Sequence, residues 1–189
     1  MAILPIVTYN DPMLRKETAP IKELTDEITT FIQDMFDTMY NSNGVGLAAP
    51  QVGSLLSIFV IDADAMLEEK EPAFGPLVFI NPKIKEKKGD IISMDEGCLS
   101  IPDIIDKVSR PEKIFIEYYD SNLIKRTTEF SGWTSRVIQH EYDHLQGKLF
   151  IDYLSAFRRR MHKSDLKEIA SGQRETNYPI VLKEELFPK

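Results

Sequence analysis

Hydrophobic positions near the start of the chain recur at helical spacing. From Ile28, apolar side chains fall at relative positions 0, 3, 4, 7, 8 and 11, which lie on one face of a helix. Asp26 and Glu27 suit the positive end of such a helix, and Asn43-Gly44 is typical of its termination. The pattern predicts a helix over Thr25–Ser42.

The middle of the chain has short runs of β-branched and aromatic residues instead of helical spacing. These runs predict strands at Ser57–Asp62, Val78–Ile80, Lys83–Ile92, Lys113–Tyr119 and Lys125–Phe130. The last two flank Asp120-Ser121-Asn122 and predict a hairpin, whereas the charged, proline-bearing Ala63–Pro76 predicts a surface loop.

Helical patterns return in the last third of the chain. A helix is predicted from Ser131 or Gly132 to about Leu145, with Gly147 just past its end. Another is predicted over Ser155–Ala170, ended by Gly172. Because an uninterrupted block of strands lies between helices, the expected class is α+β.

The C-terminal tail, Gln173–Lys189, carries less pattern than the rest of the chain. Within it, Tyr178–Leu182 has the composition of an edge strand but would also suit a loose segment. A length of 189 residues fits one domain, so residues 1–189 are expected to form a single domain.

Composition narrows the classes of function. No apolar stretch is long enough to span a membrane, and the opening residues lack the character of a secretory signal or transit peptide. A single cysteine excludes an internal disulfide framework and suits a reducing cytosol, so a cytoplasmic location is expected. The net charge of -7 argues against direct DNA binding.

The segment His140-Glu141-Tyr142-Asp143-His144 carries the clearest chemical signal. Two histidines four apart on a helix can direct a ring nitrogen at one ion, and Glu141 between them can act as a base. Trp133, Val137, His140 and His144 share one helical stripe. Two packed, hydrogen-bonded histidines are the alternative interpretation. His162, in a basic segment, is interpreted as solvated.

A catalytic metal usually needs a third protein ligand, and Cys98 is the candidate. A lone cysteine is more often a small buried hydrophobe, but a thiolate with two imidazoles suits iron, zinc, nickel or cobalt. The segment Gly44–Gln51 lacks the features of a phosphate-binding loop, so no nucleotide cofactor is expected. Its small residues allow close approach of a substrate backbone, and Gln51 offers an amide donor.

Three motifs in this order, GVGLAAPQ at 44–51, EGCLS at 96–100 and QHEYDH at 139–144, resemble the signatures of peptide deformylase. The resemblance covers roughly residues 4–155, including DPMLR at 11–15 and GKLFIDYL at 147–154. It implies short mixed or antiparallel sheets packed around a central HExxH helix, with a C-terminal helix. It also implies a metal-dependent hydrolase that removes the formyl group from N-terminal formylmethionine and releases formate.

The resemblance further implies a division of roles within the site. Cys98, His140 and His144 would hold one divalent ion, with ferrous iron as the working ion and zinc, nickel or cobalt as substitutes. Glu141 would be the general base. The Gln51 amide and the Leu99 backbone N–H would stabilise the oxyanion.

Substrate recognition is expected from both side chains and backbone. Trp133 and Val137 share the face of His140, which fits either a methionine pocket or plain core packing. By resemblance, Val45 and Met94 match further pocket positions. Backbone groups around Gly46 and Gly97 could bind the N-formylmethionyl peptide as an added strand.

Two positions depart from the family pattern at the substrate mouth. Asn43 stands where an acidic residue is usual, and Ile105 where an arginine is usual. Substrate preference at the rim is therefore expected to differ, whereas the catalytic centre is not affected.

Around the centre, Glu96 is a candidate acceptor for a ligating histidine, and Asp143 is a candidate partner for Arg110. Farther along, residues 157–174 contain six Lys or Arg against two acidic residues, which fits a solvated helix face. The family resemblance adds the alternative that this basic helix docks on the ribosome.

Two other classes of function compete with a deformylase. An HExxH peptidase cutting internal peptide bonds would need a third His or Glu ligand after the motif, where His162 is poorly placed. A binding module with a structural metal would need four protein ligands, whereas the sequence offers three good ones.

Overall fold

The structure, a computed structural model, describes residues 2–67 and 72–181. Within them the α-helices are α1 (Asp26–Asn41), α2 (Gly132–Leu145), α3 (Ala156–Met161) and α4 (Lys163–Ala170). The strands are β1 (Gly46–Ala48), β2 (Ile58–Ile61), β3 (Leu77–Cys98), β4 (Ile101–Tyr119) and β5 (Lys125–Phe130). Short 3-10 helices occupy Pro12–Arg15, Ala49–Val52, Asp64–Met66 and Phe150–Tyr153.

The predicted first helix is confirmed as α1. Thr25 caps its start, accepting a hydrogen bond from the Ile28 N–H, and its apolar stripe is buried against the sheet. Asn43 follows at φ 53°, a left-handed conformation that asparagine tolerates and that turns the chain into β1.

In place of several short sheets, the described residues form one antiparallel sheet in the order β1-β2-β3-β4-β5. The predicted strands Val78–Ile80 and Lys83–Ile92 are parts of the single long strand β3, which is interrupted by bulges. The predicted hairpin of β4 with β5 is confirmed, with Tyr119 opposite Lys125. The long β3–β4 ladder brings Cys98 next to the turn that begins β4.

Strand β2 is buried on both faces, which explains its continuous apolar run. Phe59 and Ile61 belong to the apolar cluster that contains Val137 of α2. Ile58 and Val60 belong instead to the cluster that contains the buried face of α1. The two long helices therefore cover opposite faces of the sheet at β2.

Helix α2 ends as predicted and is buried along nearly all of its length. Its buried residues include Arg136, Gln139, His140 and Glu141, so these polar groups need protein or ligand partners. Among the described residues, no helix combines the length and apolar character needed to cross a membrane.

The predicted final helix over 155–170 is broken at His162 into α3 and α4. The interpretation of His162 as solvated is wrong, because its side chain is 21% exposed and its Nε2 lies 2.7 Å from Asp106 Oδ2. Arg158 also binds Asp106. Asp106 thus ties the C-terminal helices to β4.

The tail after α4 returns toward the start of the chain. The Ile6 N–H donates to Pro179 O at 2.9 Å, and the Val181 N–H donates to Ile6 O at 2.9 Å. This parallel bridge fits the edge-strand alternative for 178–181, whereas Leu182 lies outside the described residues. The predicted loop 63–76 holds one short 3-10 helix, and its residues 68–71 also lie outside the described part.

Candidate metal centre and active site

Helix α2 and the end of β3 bring three metal-binding side chains together. The rings of His140 and His144 have centroids 5.1 Å apart, and Cys98 Sγ lies 3.3 Å from His144 Nε2. One ligand atom from each of the three residues lies within 4.8 Å of the others. The helical spacing and the cysteine, far apart in sequence, thus form one cluster.

The donor set fits a divalent cation. His140 Nδ1 lies 3.0 Å from Glu96 Oε2, which leaves Nε2 of that ring for an ion. His144 Nδ1 and Glu141 Oε2 are buried and have no hydrogen-bond partner among the described residues. The cluster offers three ligands within the described part of the chain, which leaves a position for water or substrate.

Protonation of the two histidines differs. Burial lowers the pKa of His144 well below its usual value, with the charges of His140 and Arg110 acting in the same direction. Burial also acts to lower the pKa of His140, but contacts with Cys98 and Glu96 outweigh it and raise that pKa. A neutral His144 is ready to act as a ligand.

Glu96 is the centre of a buried charge network. It accepts hydrogen bonds from Arg110 Nε at 2.7 Å and Arg136 Nη1 at 2.9 Å, and Arg110 Nη1 donates to Asp143 at 2.6 Å. Burial alone would raise the pKa of Glu96, but hydrogen bonds from His140 and Arg110 hold it below its usual range. The predicted contacts of Glu96 with a histidine and of Asp143 with Arg110 are confirmed.

Sequence reasoning missed Arg136 and Tyr153 in this network. Arg136 also donates to Ile92 O and Val108 O, so it joins α2 to β3 and β4. The Arg110 guanidinium carbon lies 4.6 Å from the centroid of the Tyr153 ring. Arg136 precedes His140 by one helical turn, and that spacing on a buried helix was the available signal.

Glu141 is buried directly beneath β1. Burial raises the pKa of its carboxyl group to about 7, although the charge of His140 acts to lower it. A Cβ atom at Gly46 would lie 2.5 Å from Glu141 Oε1, so only glycine allows this approach. A carboxyl group with this pKa can take up and return a proton near neutral pH.

The hydrogen bonds of Gln51 fix its amide orientation. Its Oε1 accepts from the Ala48 N–H at 2.8 Å, so its Nε2 faces Cys98 Sγ at 3.4 Å and Ser100 Oγ at 3.3 Å. Leu99 follows Cys98 in the turn between β3 and β4. The structure therefore brings the two predicted oxyanion donors to the metal-binding cluster.

A cleft of about 950 Å³ opens onto this centre. Cys98, His140, Glu141, Gln51 and Leu99 all contribute to its lining, together with the predicted recognition residues Val45, Gly46, Gly97, Trp133 and Val137. Trp133 and Val137 also pack in the apolar core, so both interpretations of the helix stripe apply.

Met94 is the exception among the predicted recognition residues. It lies in β3 opposite Val108 and is not among the described residues that line the cleft. The structure therefore does not bring Met94 to the other candidates.

Comparison with known proteins agrees with this geometry. The family model described as polypeptide deformylase matches residues 3–160. A peptide deformylase of Salinibacter ruber is 46% identical over 188 residues, covering 97% of this chain and 96% of that protein.

Solved structures give the same result. A peptide deformylase of Ehrlichia chaffeensis in complex with actinonin has a TM-score of 0.83 and 35% identity, covering 93% of this chain and 100% of that chain. The Legionella pneumophila enzyme has a TM-score of 0.80 and 38% identity, covering 91% and 98%. The chain belongs to the peptide deformylase family, metal-dependent hydrolases that remove the formyl group from N-terminal formylmethionine.

Proposed function

We propose that deformylation takes place at the cluster of Cys98, His140 and His144, with Glu141 as the general base. The observation that carries this proposal is the convergence of the three ligand atoms within 4.8 Å, beside a cleft whose lining includes Cys98, His140 and Glu141. Helix α2 is then the central scaffold, because it carries two ligands, the base and part of the pocket wall.

Cys98, His140 and His144 would hold one divalent cation, for which we propose ferrous iron, with zinc, nickel or cobalt as substitutes. The thiolate and imidazole donors suit all four ions. When bound, such an ion lowers the pKa of water from about 16 toward about 7 and polarises a carbonyl group. Glu96 fixes the ring of His140 for this role through Nδ1.

Glu141 accepts the proton of the attacking water and returns it to the departing amine. Its raised pKa of about 7 and its burial favour both directions of transfer. Gln51 Nε2 and the Leu99 N–H donate to the oxygen of the formyl group as negative charge develops there. Each donor of this kind typically contributes about 3 kcal/mol to the transition state.

The cleft also accounts for recognition of formylmethionyl peptides. Val45, Trp133 and Val137 provide apolar walls for the methionine side chain. Backbone groups of Gly46 and Gly97 can pair with the peptide backbone, a mode that tolerates varied sequences after methionine. Ile105, which is 66% exposed, stands at the mouth and offers no charge for the peptide.

Substitution of the general base tests this assignment. We expect Glu141→Gln to lower kcat by about 10²- to 10⁴-fold, because proton transfer by a positioned group contributes that much. Bound metal, measured by elemental analysis, should equal that of the unsubstituted protein because Glu141 is not a ligand. An active Glu141→Gln variant would rule out this role for Glu141.

We also propose a cytoplasmic location, since a single cysteine that serves as a metal ligand suits a reducing compartment. Residues 1–189 are proposed to form one catalytic domain, because apolar clusters at both ends of the chain include residues of the same sheet.

Docking on the ribosome through the basic C-terminal helices is a further part of the proposal. Arg159, Arg160, Lys163 and Lys167 line a surface cleft of about 540 Å³ beside Tyr9. Cosedimentation with ribosomes should weaken with rising salt and in Arg159→Glu/Lys163→Glu, but not in the control Arg126→Glu. Equal cosedimentation of all three proteins would rule out this docking surface.

A further inference from the structure

The C-terminal segment Glu175–Tyr178 forms part of the cleft described above. All four of its residues line the same cavity as Cys98 and Glu141, although they follow the last helix and lie far from every motif in the sequence. The cavity is larger than one formylmethionine residue fills, so its remaining length is available to later residues of a peptide.

Both ends of this segment are held in place. Before it, Arg174 binds Asp165 at 2.7 Å and Glu168 at 3.3 Å on α4, and Asp103 of β4 at 3.6 Å. After it, the backbone bridge between Ile6 and 179–181 attaches the chain to the N-terminal segment. The segment is thus fixed along the cleft rather than lying loose.

Tyr178 connects this segment to the turn that follows Cys98. Its hydroxyl group donates to Leu99 O at 2.8 Å. The Tyr9 N–H donates to Ser100 O at 2.7 Å, and Gln51 Nε2 donates to Ser100 Oγ at 3.3 Å. Groups from three separate parts of the chain therefore hold the turn that carries Cys98 and the Leu99 N–H.

We infer that Tyr178 is a positioning residue for the Leu99 turn, and that Glu175–Tyr178 is the wall that contacts peptide residues after methionine. This inference rests on the proposed function, because it assigns the Leu99 N–H to the oxyanion and the cleft to a peptide. The hydroxyl group of Tyr178 would then affect kcat, whereas the exposed side chains of the wall would affect KM.

Tyr178→Phe tests the positioning role, because it keeps the ring and removes only the hydroxyl group. We expect kcat to fall about 3- to 10-fold, the effect of one net hydrogen bond, with KM and metal content unchanged. Circular dichroism and thermal unfolding show whether the variant is folded. An unchanged kcat in folded Tyr178→Phe would overturn the positioning role.

Asn177→Ala tests the wall, because Asn177 is exposed and lines the cleft. We expect KM to rise about 3-fold for formyl-Met-Ala-Ser and not for formyl-Met amide, since only the tripeptide extends to the wall. Gln173→Ala is the matched control, since Gln173 is exposed two residues before this segment but lies outside the cleft lining.

Binding of the unformylated peptide Met-Ala-Ser, measured by calorimetry, provides a readout that does not depend on turnover. Its Kd should rise in Asn177→Ala and stay unchanged in Gln173→Ala. Equal effects on KM for both substrate lengths, or no change in Kd, would overturn the wall. Absence of formate release by the unsubstituted, metal-loaded protein would instead refute the proposed function itself.

Discussion

Gly46 shows how one missing side chain determines the position of Glu141. Because a Cβ atom there would lie 2.8 Å or less from three atoms of Glu141, alanine would displace the carboxylate. We expect Gly46→Ala to lower kcat at least about 10-fold, the loss that follows from misplacing a general base.

Gly97→Ala is the matched control for Gly46→Ala. At Gly97 the nearest atom to an added Cβ, Ile105 Cγ1, lies at 3.5 Å, which is an ordinary contact. The kcat of formate release should therefore persist in Gly97→Ala, and any loss should be confined to KM, because the Gly97 backbone is proposed to bind the peptide. Equal losses in the two variants would show that the space beside Glu141 is not what Gly46 provides.

Substitution of Asp143 tests the role of the buried charge network around Glu96. It neutralises Arg110, which in turn holds Glu96 against His140. We expect Asp143→Asn to weaken metal affinity about 10-fold, since groups that orient metal ligands commonly contribute 10- to 100-fold. Competition with a chelator measures this affinity, and an unchanged value would contradict the role of the network.

At the scale of secondary structure, the sequence predicts helices α1 and α2 closely because each has a clear apolar stripe and a recognisable end. No strand is predicted from the sequence for residues 93–112, where Met94 and other residues continue the β3–β4 ladder. The reason is that Asp106 and Arg110 occupy inward positions of β4, where a strand pattern requires apolar residues. Those polar residues have partners distant in sequence, which local patterns do not reveal.

The residues of the candidate site likewise divide into those that local sequence patterns reveal and those that only the tertiary fold brings together. His140, Glu141 and His144 follow from helical spacing, and family motifs add Cys98, Gln51 and Leu99. Tyr178 could not be found from the sequence, because the tail reaches Leu99 only through the tertiary fold. The break at His162 was missed for the same reason, since Asp106 lies on a distant strand.

The ionisation of Asp106 determines how the attachment of the C-terminal helices responds to acid. Burial would raise its pKa, but hydrogen bonds from Arg158, His162 and the Lys107 N–H lower it to about 2. A carboxyl group with a lowered folded-state pKa stabilises the protein above its unfolded pKa of about 4, and this stabilisation is lost as pH falls toward 2. The difference in unfolding free energy between the unsubstituted protein and Asp106→Asn should therefore shrink from pH 5 to pH 2.

Asp103→Asn is the control for the acid response, because Asp103 is 68% exposed and its nearest contact with Arg174, at 3.6 Å, is long. Its substitution should change the pH dependence of unfolding little. A constant difference between the unsubstituted protein and Asp106→Asn over this pH range would contradict the assignment.

At the scale of the whole molecule, the cleft mouth shares the negative character of a chain with net charge -7. Asp95, Asp103 and Glu175 line the mouth, whereas the one Lys or Arg among the described lining residues is Arg136, which is buried against Glu96. We expect formyl-Met-Ala-Lys to be hydrolysed with a higher kcat/KM than formyl-Met-Ala-Glu, and the difference to narrow with added salt.

Glu175→Gln should reduce this preference for a basic peptide. Glu23→Gln is the control, because Glu23 is exposed and lies outside the cleft lining; this variant should leave the preference intact. An equal kcat/KM for the two peptides at low salt would show that the acidic mouth does not select substrates.

Formate release from formyl-Met-Ala-Ser, by protein prepared without oxygen and loaded with iron, nickel or zinc, is the measurement that decides whether this site deformylates peptides. Peptide fragments are analysed in the same samples. We expect formate release with iron or nickel and an intact Met-Ala bond. Cleavage of internal peptide bonds, or metal binding at Cys98, His140 and His144 without formate release, would refute the proposed deformylase activity.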